Sequence, residues 1–542
     1  MNIKQAKQQV EYAVKAYLTL DDLGQPAIPV ERQRPLFLMG APGIGKTAIM
    51  EQIAQELGIG LVSYSMTHHT RQSALGLPFI VRKEYDGEEV DVSEYTMSEI
   101  ISSIHDCMAA SGVRQGILFL DEINCVSETL APSMLQFLQF KTFGRWRVPQ
   151  GWVVVTAGNP PEFNNSVREF DIVTWDRMKR IDVEPDYDAW KEYALSQRVH
   201  PAVTSYLEIR KGDFYRIEST VDGKQFVTAR GWVDLSDMIK LYEQNGFPVD
   251  ETLVGQYLQN PQIAKGFSVY YHLFNKYRSD YQVEAILAGT ADETVKERAR
   301  AARFDERLSL LALLTDAMGD GIRRVLRDEK ALERIVNRLR ADKGRFAAAD
   351  AEAARALLAE AAGAVRRTSA SRKRANALSD EEARADLKAA SLMDAFAEEL
   401  TDDVAAPFRW LGERFDRESA ALQADAADVR GQLENAFGFC EEVFPEGQEL
   451  LILVTELSVD AHSARFIGKY GCDAYFRHNR ELMFYERRRE LNREIAELKL
   501  DAVDESHDGH CGHCGHEHGE GHCGSCDHDH GEGHCGKCDH GA

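Results

Sequence analysis

The chain has 542 residues, a formal net charge of −24, 44% apolar side chains and ten cysteines. A chain of that length can bury several cores without a disulfide scaffold, and its acidity makes it a poor non-specific binder of nucleic acid. No apolar run reaches the length of a membrane span, the best being 308–314 and 450–454, and the N-terminus has no signal-peptide core, so a soluble, cytoplasmic protein is expected.

Taken in order, Ile3, Ala6, Val10, Ala13, Val14 and Tyr17 recur at helical spacing and predict an amphipathic helix over 2–19, ended by Gly24 to Pro29. The apolar run Leu36-Phe-Leu-Met39 then stops in Gly40, Ala41, Pro42, Gly43, Ile44, Gly45, Lys46 and Thr47, the phosphate-loop spacing G-x-x-x-x-G-K-T. Glycines let backbone N–H groups close around a phosphate chain, Lys46 reaches the β/γ-phosphates, and the Thr47 hydroxyl suits Mg²⁺. ATP and Mg²⁺ are therefore the expected ligands, with a helix following over 48–57. Residues 61–64 read as a strand, 70–95 as an inserted loop or hairpin, and 97–110 as a helix.

Gly116-Ile-Leu-Phe-Leu-Asp-Glu122 reads as a central parallel strand that delivers two acids to the sheet's C-terminal edge. Asp121 is placed to hold Mg²⁺ through water and Glu122 to polarise the attacking water. A second buried strand, 152–157, ends in Gly158-Asn159-Pro160, where the Asn159 amide can orient water without adding charge. Between them, 127–139 reads as a helix and Lys141 to Val148 as a β-hairpin. Its Arg145 and Trp146 are candidates for gripping substrate in a pore, with packing an equal alternative for Trp146.

This order of parts resembles the AAA+ ATPases, and within them the MoxR-like and dynein-related group, over about residues 1–290. The resemblance rests on the Walker A loop (40–47), the Walker B strand (117–122), a pre-sensor hairpin (141–148) and a sensor 1 residue, Asn159. Trp175-Asp-Arg-Met-Lys-Arg180 stands where the group carries an arginine finger, and Thr228-Ala-Arg-Gly231 where it carries sensor 2. Met178 and Ala229 depart from the group's usual Phe and Pro. The resemblance implies Arg177 as the finger, with Arg180 the alternative, and Arg230 as the sensor. It further implies an α/β P-loop core with a parallel sheet over 1–186, a small helical lid over 187–290, and a ring, usually a hexamer. A partner with a von Willebrand factor A-type domain is also implied. Within the lid, 197–200, 233–242 and 269–277 are the expected helical pieces.

From residue 291 the composition turns to Ala, Arg, Glu and Leu, which predicts an all-α extension to about 500. Ser379-Asp-Glu-Glu382 resembles a capping box, and the basic stretch Arg366–Arg374 reads as an exposed flexible linker. Residues 449–465 and 473–498 read as further helices, forming a protruding arm. Four cysteines, Cys107, Cys125, Cys440 and Cys472, are scattered singly, as reduced thiols usually are.

The other six cysteines crowd into a tail that holds −9 of the net charge over 501–542. There His510, Cys511 and Cys514 recur twelve residues later as His522, Cys523 and Cys526, and again as His534, Cys535 and Cys538. Each set offers a Cys-x-x-Cys grip with an adjacent imidazole, a shell suited to Zn²⁺, Ni²⁺ or Cu⁺, on a segment too polar to fold without metal. Three functions follow as expectations: a remodelling or chaperone-type ATPase, a chelatase-like metal-insertion motor using the tail, and a nucleotide-gated scaffold with slow hydrolysis.

Overall fold

Every second residue of the first apolar run faces the same way, and that alternation builds the sheet. In the computed structural model, which describes residues 1–480 apart from 164–166, 168–169, 221–222, 405 and 446, strand β1 is Leu36–Gly40. Strands β2 (Gly60–Ser65), β3 (Gly116–Asp121), β4 (Trp152–Gly158) and β5 (Lys179–Val183) complete a five-stranded sheet in the order β2-β3-β4-β1-β5. All its pairings are parallel.

Leu36, Leu38, Ile117, Phe119, Val153 and Val155 point to one face, where they meet Ala6, Val10 and Val14 of helix Ile3–Leu18 and Ile49, Met50 and Ile53 of helix Lys46–Leu57. Phe37, Leu118, Leu120 and Val154 point to the other, against Ile100, Ile101 and Ile104 of helix Glu99–Ser111 and Met134 and Phe137 of helix Ala131–Phe140. A sheet covered on both sides is what near-continuous apolar strands require. It also leaves the strand tips of β1, β3 and β4 free to carry polar chemistry.

The stretch after β2 forms a short helix, Arg71–Leu75, and an antiparallel hairpin, Pro78–Tyr85 with Glu88–Tyr95. The hairpin expected over 141–148 is a short two-residue ladder, Thr142–Phe143 with Trp146–Arg147, and it is clipped to the longer one by an Arg145–Glu94 ion pair. Trp146 Nε1 donates to the Tyr95 carbonyl at 3.3 Å.

Helices Tyr187–Ser196, Pro201–Ile209, Ala229–Asn245, Glu251–Tyr257 and Pro261–Tyr281 enclose a separate core around Trp232 and Phe267, the lid. Residues 197–200 are not helical, contrary to expectation: Arg198 has φ +57° and Pro201 starts a new helix, so this stretch is the turn between two helices. A hairpin, Arg216–Thr220 with Gly223–Val227, is the part of the lid that helical periodicity does not reveal.

The extension is helical, with Phe304–Ala341, Ala351–Arg374, Asp380–Glu399 and Pro407–Val443 its long members. The basic stretch 366–374 is no linker. It is the last turns of helix Ala351–Arg374, where cations favour the helix C-terminus and Arg366 and Lys373 pair with Asp394 and Asp380. Ser379 caps the next helix, accepting from the Glu382 N–H at 3.2 Å. Residues 449–465 form parts of two helices, Gln448–Val459 and Ala461–Tyr470, because Asp460 stops one and caps the other.

This extension folds back onto the half that carries the five-stranded sheet. The outer edge of β2 is closed by the Ala375 carbonyl, which accepts from the Leu61 N–H at 3.1 Å, and Ser371 Oγ donates to the Ala110 carbonyl at 2.6 Å. Residues Met1–Cys472 are one compact unit, and Asp473 onward belongs to a second. Residues 481–498 of the anticipated arm and all of the Cys/His tail lie outside the described residues.

Candidate active site

The glycine turn after β1 leads into helix Lys46–Leu57 through Gly43 at φ +72° and Gly45 at φ +99°, a left-handed path of the kind in which successive backbone N–H groups can face one anion. Lys46 follows and is only 7% exposed. Its Nζ donates to the Gly40 carbonyl (2.7 Å), the Ala41 carbonyl (2.8 Å) and Asn159 Oδ1 (2.9 Å). Burial brings its pKa down to about 8, against the pull of Asp121 and Glu122, and the nearby Arg230 charge lowers it further. All three N–H donors thus rest on neutral oxygens, a buried cation to which phosphate is the complementary partner.

Thr47 Oγ1 donates to Asp121 Oδ2 at 3.1 Å, so the hydroxyl and the carboxylate at the tip of β3 share one place. Such an all-oxygen pair fits Mg²⁺, which takes a few protein ligands and keeps its waters. Glu122 stands next door with φ +55°, an uncommon conformation for a residue with a Cβ. Its Oε2 accepts from Ser65 Oγ (3.0 Å) and Thr67 Oγ1 (3.1 Å).

Asn159 is set by the strand tip and by a second amide. Asn124 is buried and its Nδ2 donates to the Asn159 carbonyl at 2.8 Å. That approach needs Gly158, where an added Cβ would lie 2.4 Å from Asn124 Oδ1. The lid meets the loop directly: the Arg230 N–H donates to the Gly43 carbonyl (3.1 Å), Tyr215 Oη to the Pro42 carbonyl (2.9 Å), and Thr228 packs against Gly43.

The structure therefore gathers Lys46, Thr47, Asp121, Glu122, Asn159 and the 40–47 loop, with Arg230 at the margin. Arg177 is exposed, with the Asp171 carboxylate near enough to feel its charge, while buried Met178 anchors the segment in the core. Arg180 is occupied, its Nε on Asp182 Oδ1 at 2.8 Å and its guanidinium over Trp175. Ser65, Thr67 and Asn124 are participants that spacing alone does not mark. The register pairing of Ser65 with Asp121 is the signal for the first of them, since it sets a hydroxyl beside the acidic strand tip.

Residues 36–173 match the family model described as the ATPase family associated with various cellular activities, AAA. The chain carries an AAA ATPase domain. The matched span runs from the first residue of β1 past Asn159, so it takes in the phosphate loop, both acids and the amide. The lid, the extension and the tail lie beyond it. No curated protein matches the chain closely.

Proposed function

We propose that the chain hydrolyses ATP and uses the cycle to remodel a protein partner, working as a ring, most simply a hexamer. The observation that carries this reading is the convergence of Lys46, Thr47, Asp121 and Asn159 on one pocket, with Glu122 beside it. Lys46 and the loop amides would hold the triphosphate, and Thr47 and Asp121 would hold Mg²⁺. When bound, that ion neutralises charge on the phosphate oxygens. Lys46 must give up at least one of its three oxygen partners to reach a phosphate, and Asn159, released from it, is then free to orient water. Glu122 accepts the water's proton only after leaving Ser65 and Thr67, since a carboxylate held by two hydroxyls is aimed elsewhere.

Arg177, exposed and near only the Asp171 charge, suits a cation supplied to a neighbouring copy better than Arg180, which is engaged by Asp182 and Trp175. Arg230, hydrogen-bonded through its N–H to the loop, suits a reader of nucleotide state. A partner with a von Willebrand factor A-type domain belongs to the same reading through the MoxR-like resemblance. The test is Glu122→Gln, which should bind ATP and assemble while turnover falls by about 10²–10⁴-fold. Retained hydrolysis would remove the assigned role.

Two observations favour other emphases. The threefold His/Cys repeat of the tail favours metal delivery, with Cys511, Cys514, Cys523, Cys526, Cys535 and Cys538 and the histidines at 510, 522 and 534 as ligands for Zn²⁺, Ni²⁺ or Cu⁺. The parking of Glu122 favours a scaffold with slow basal hydrolysis, stimulated by a partner.

A further inference from the structure

Asn124 lies on the short turn Ile123–Cys125 that begins at Glu122, and it is only 1% exposed. A primary amide buried so deeply needs definite partners for its polar atoms. Its Nδ2 donates to the Asn159 carbonyl at 2.8 Å, and the Cys125 thiol faces its Oδ1 at 3.9 Å. The side chain lies against Gly158, where an added Cβ would come within 2.4 Å of Oδ1 and 2.7 Å of Cγ. One amide thus ties the turn after β3 to the end of β4.

Asn159 is held from two sides: Lys46 Nζ donates to its side-chain Oδ1 at 2.9 Å, and Asn124 donates to its backbone carbonyl. The two holds are not equivalent. Lys46 turns toward phosphate when nucleotide binds, so its bond to Oδ1 is the one that loosens. The Asn124 bond engages the main chain and needs no rearrangement. Pro160 adds to it, since a residue that precedes proline is confined to extended backbone. With its peptide plane fixed in this way, the Asn159 amide keeps its aim when it must direct water.

We propose, on the ATPase reading above, that Asn124 is a positioning residue for hydrolysis: it aims Asn159 in the loaded site and leaves nucleotide binding to the phosphate loop. The contacts of Lys46 with the loop carbonyls and of Thr47 with Asp121 do not involve it. Its loss therefore spares affinity and slows the chemistry. A displacement of about 1 Å in a group that orients a reactant can cost on the order of a hundredfold in rate.

Single-turnover ATP hydrolysis and ADP binding by isothermal titration are measured on the full chain carrying Asn124→Ala or Asn124→Ser, the serine hydroxyl being too short to reach the carbonyl. Each variant should turn over about tenfold more slowly than the parent, the weight of one buried hydrogen bond. The ADP dissociation constant should stay within about twofold of the parent's, because the loop contacts are intact. In an Asn159→Ala background the same substitutions should slow the reaction no further, since a residue that acts through Asn159 then has nothing to aim. Gly158→Ala, which displaces the amide while Asn124 itself is kept, should reproduce the loss, and it carries the test if the Asn124 variants do not fold. Unchanged turnover, affinity lost in step with turnover, or a tenfold loss repeated in the Asn159→Ala background would each overturn the proposal. A parent chain that binds ATP and never hydrolyses it would instead remove the ATPase reading, and this role with it.

Discussion

Lys46 binds anions as an ammonium, yet burial makes it give up its proton near pH 8 rather than near 10.5. Nucleotide affinity should therefore fall as pH rises through about 8, a bend that isothermal titration across pH 6.5–9.5 would reveal. Stability moves the other way. The folded chain releases this proton earlier than the unfolded one, so the Lys46 contribution to stability rises between pH 8 and 10.5. Glu122 supplies a second residue-scale expectation. Ser65→Ala with Thr67→Val should raise basal turnover by roughly tenfold, the weight of one hydrogen bond to a charged group; an unchanged rate in a phosphate-release assay would mean that the two hydroxyls do not restrain the base. The loop, the acids at 121 and 122 and the amide at 159 were legible in the sequence because each sits at the end of an apolar run that must be a buried strand. Ser65, Thr67 and Asn124 were not, because they act through register and side-chain approach between segments more than 30 residues apart.

Among the elements, the helices read well from periodicity and their ends less so. Helix Ala351–Arg374 carries three basic residues in its last turn, and composition alone cannot separate a helix end of that kind from a charged linker. Residues 449–465 look like one apolar-periodic helix, and only the Asp460 cap divides it. That junction has its own pH dependence. His462 bonds Glu381 Oε2 at 2.8 Å and faces Asp460 Oδ1 at 3.4 Å without hydrogen-bond alignment. Asp460 and Glu381 together raise its pKa from 6.5 to about 9. A raised value means that the charged imidazole stabilises the folded state fully below pH 6.5, and that this is lost as pH climbs through about 9. The contribution is at most on the order of 3 kcal/mol. Urea unfolding of His462→Gln should show lower stability at pH 6 and a flatter profile between pH 6.5 and 9 than the parent.

At the scale of the whole molecule, the ATPase half and the extension share cores and edges. Leu313 of the long helix is buried in the lid's core, and Ala375 closes the open side of β2. A fragment ending at residue 290 should consequently associate through its exposed strand edge and apolar lid, and light scattering should find it aggregated where the full chain is not. Removing 507–542 should leave ATP turnover intact while abolishing binding of zinc measured by equilibrium dialysis. Turnover lost with the tail would instead place the ligand-rich repeat inside the catalytic cycle.

The carbonyl at 375 that closes β2 has a consequence for synthesis. It lies about 300 residues after the strand it protects, and a ribosome adding roughly 5–20 residues per second takes some 15–60 s to reach it. Throughout that interval the nascent sheet presents an unpaired margin to every other emerging polypeptide. A chain released before residue 375 would keep that margin open.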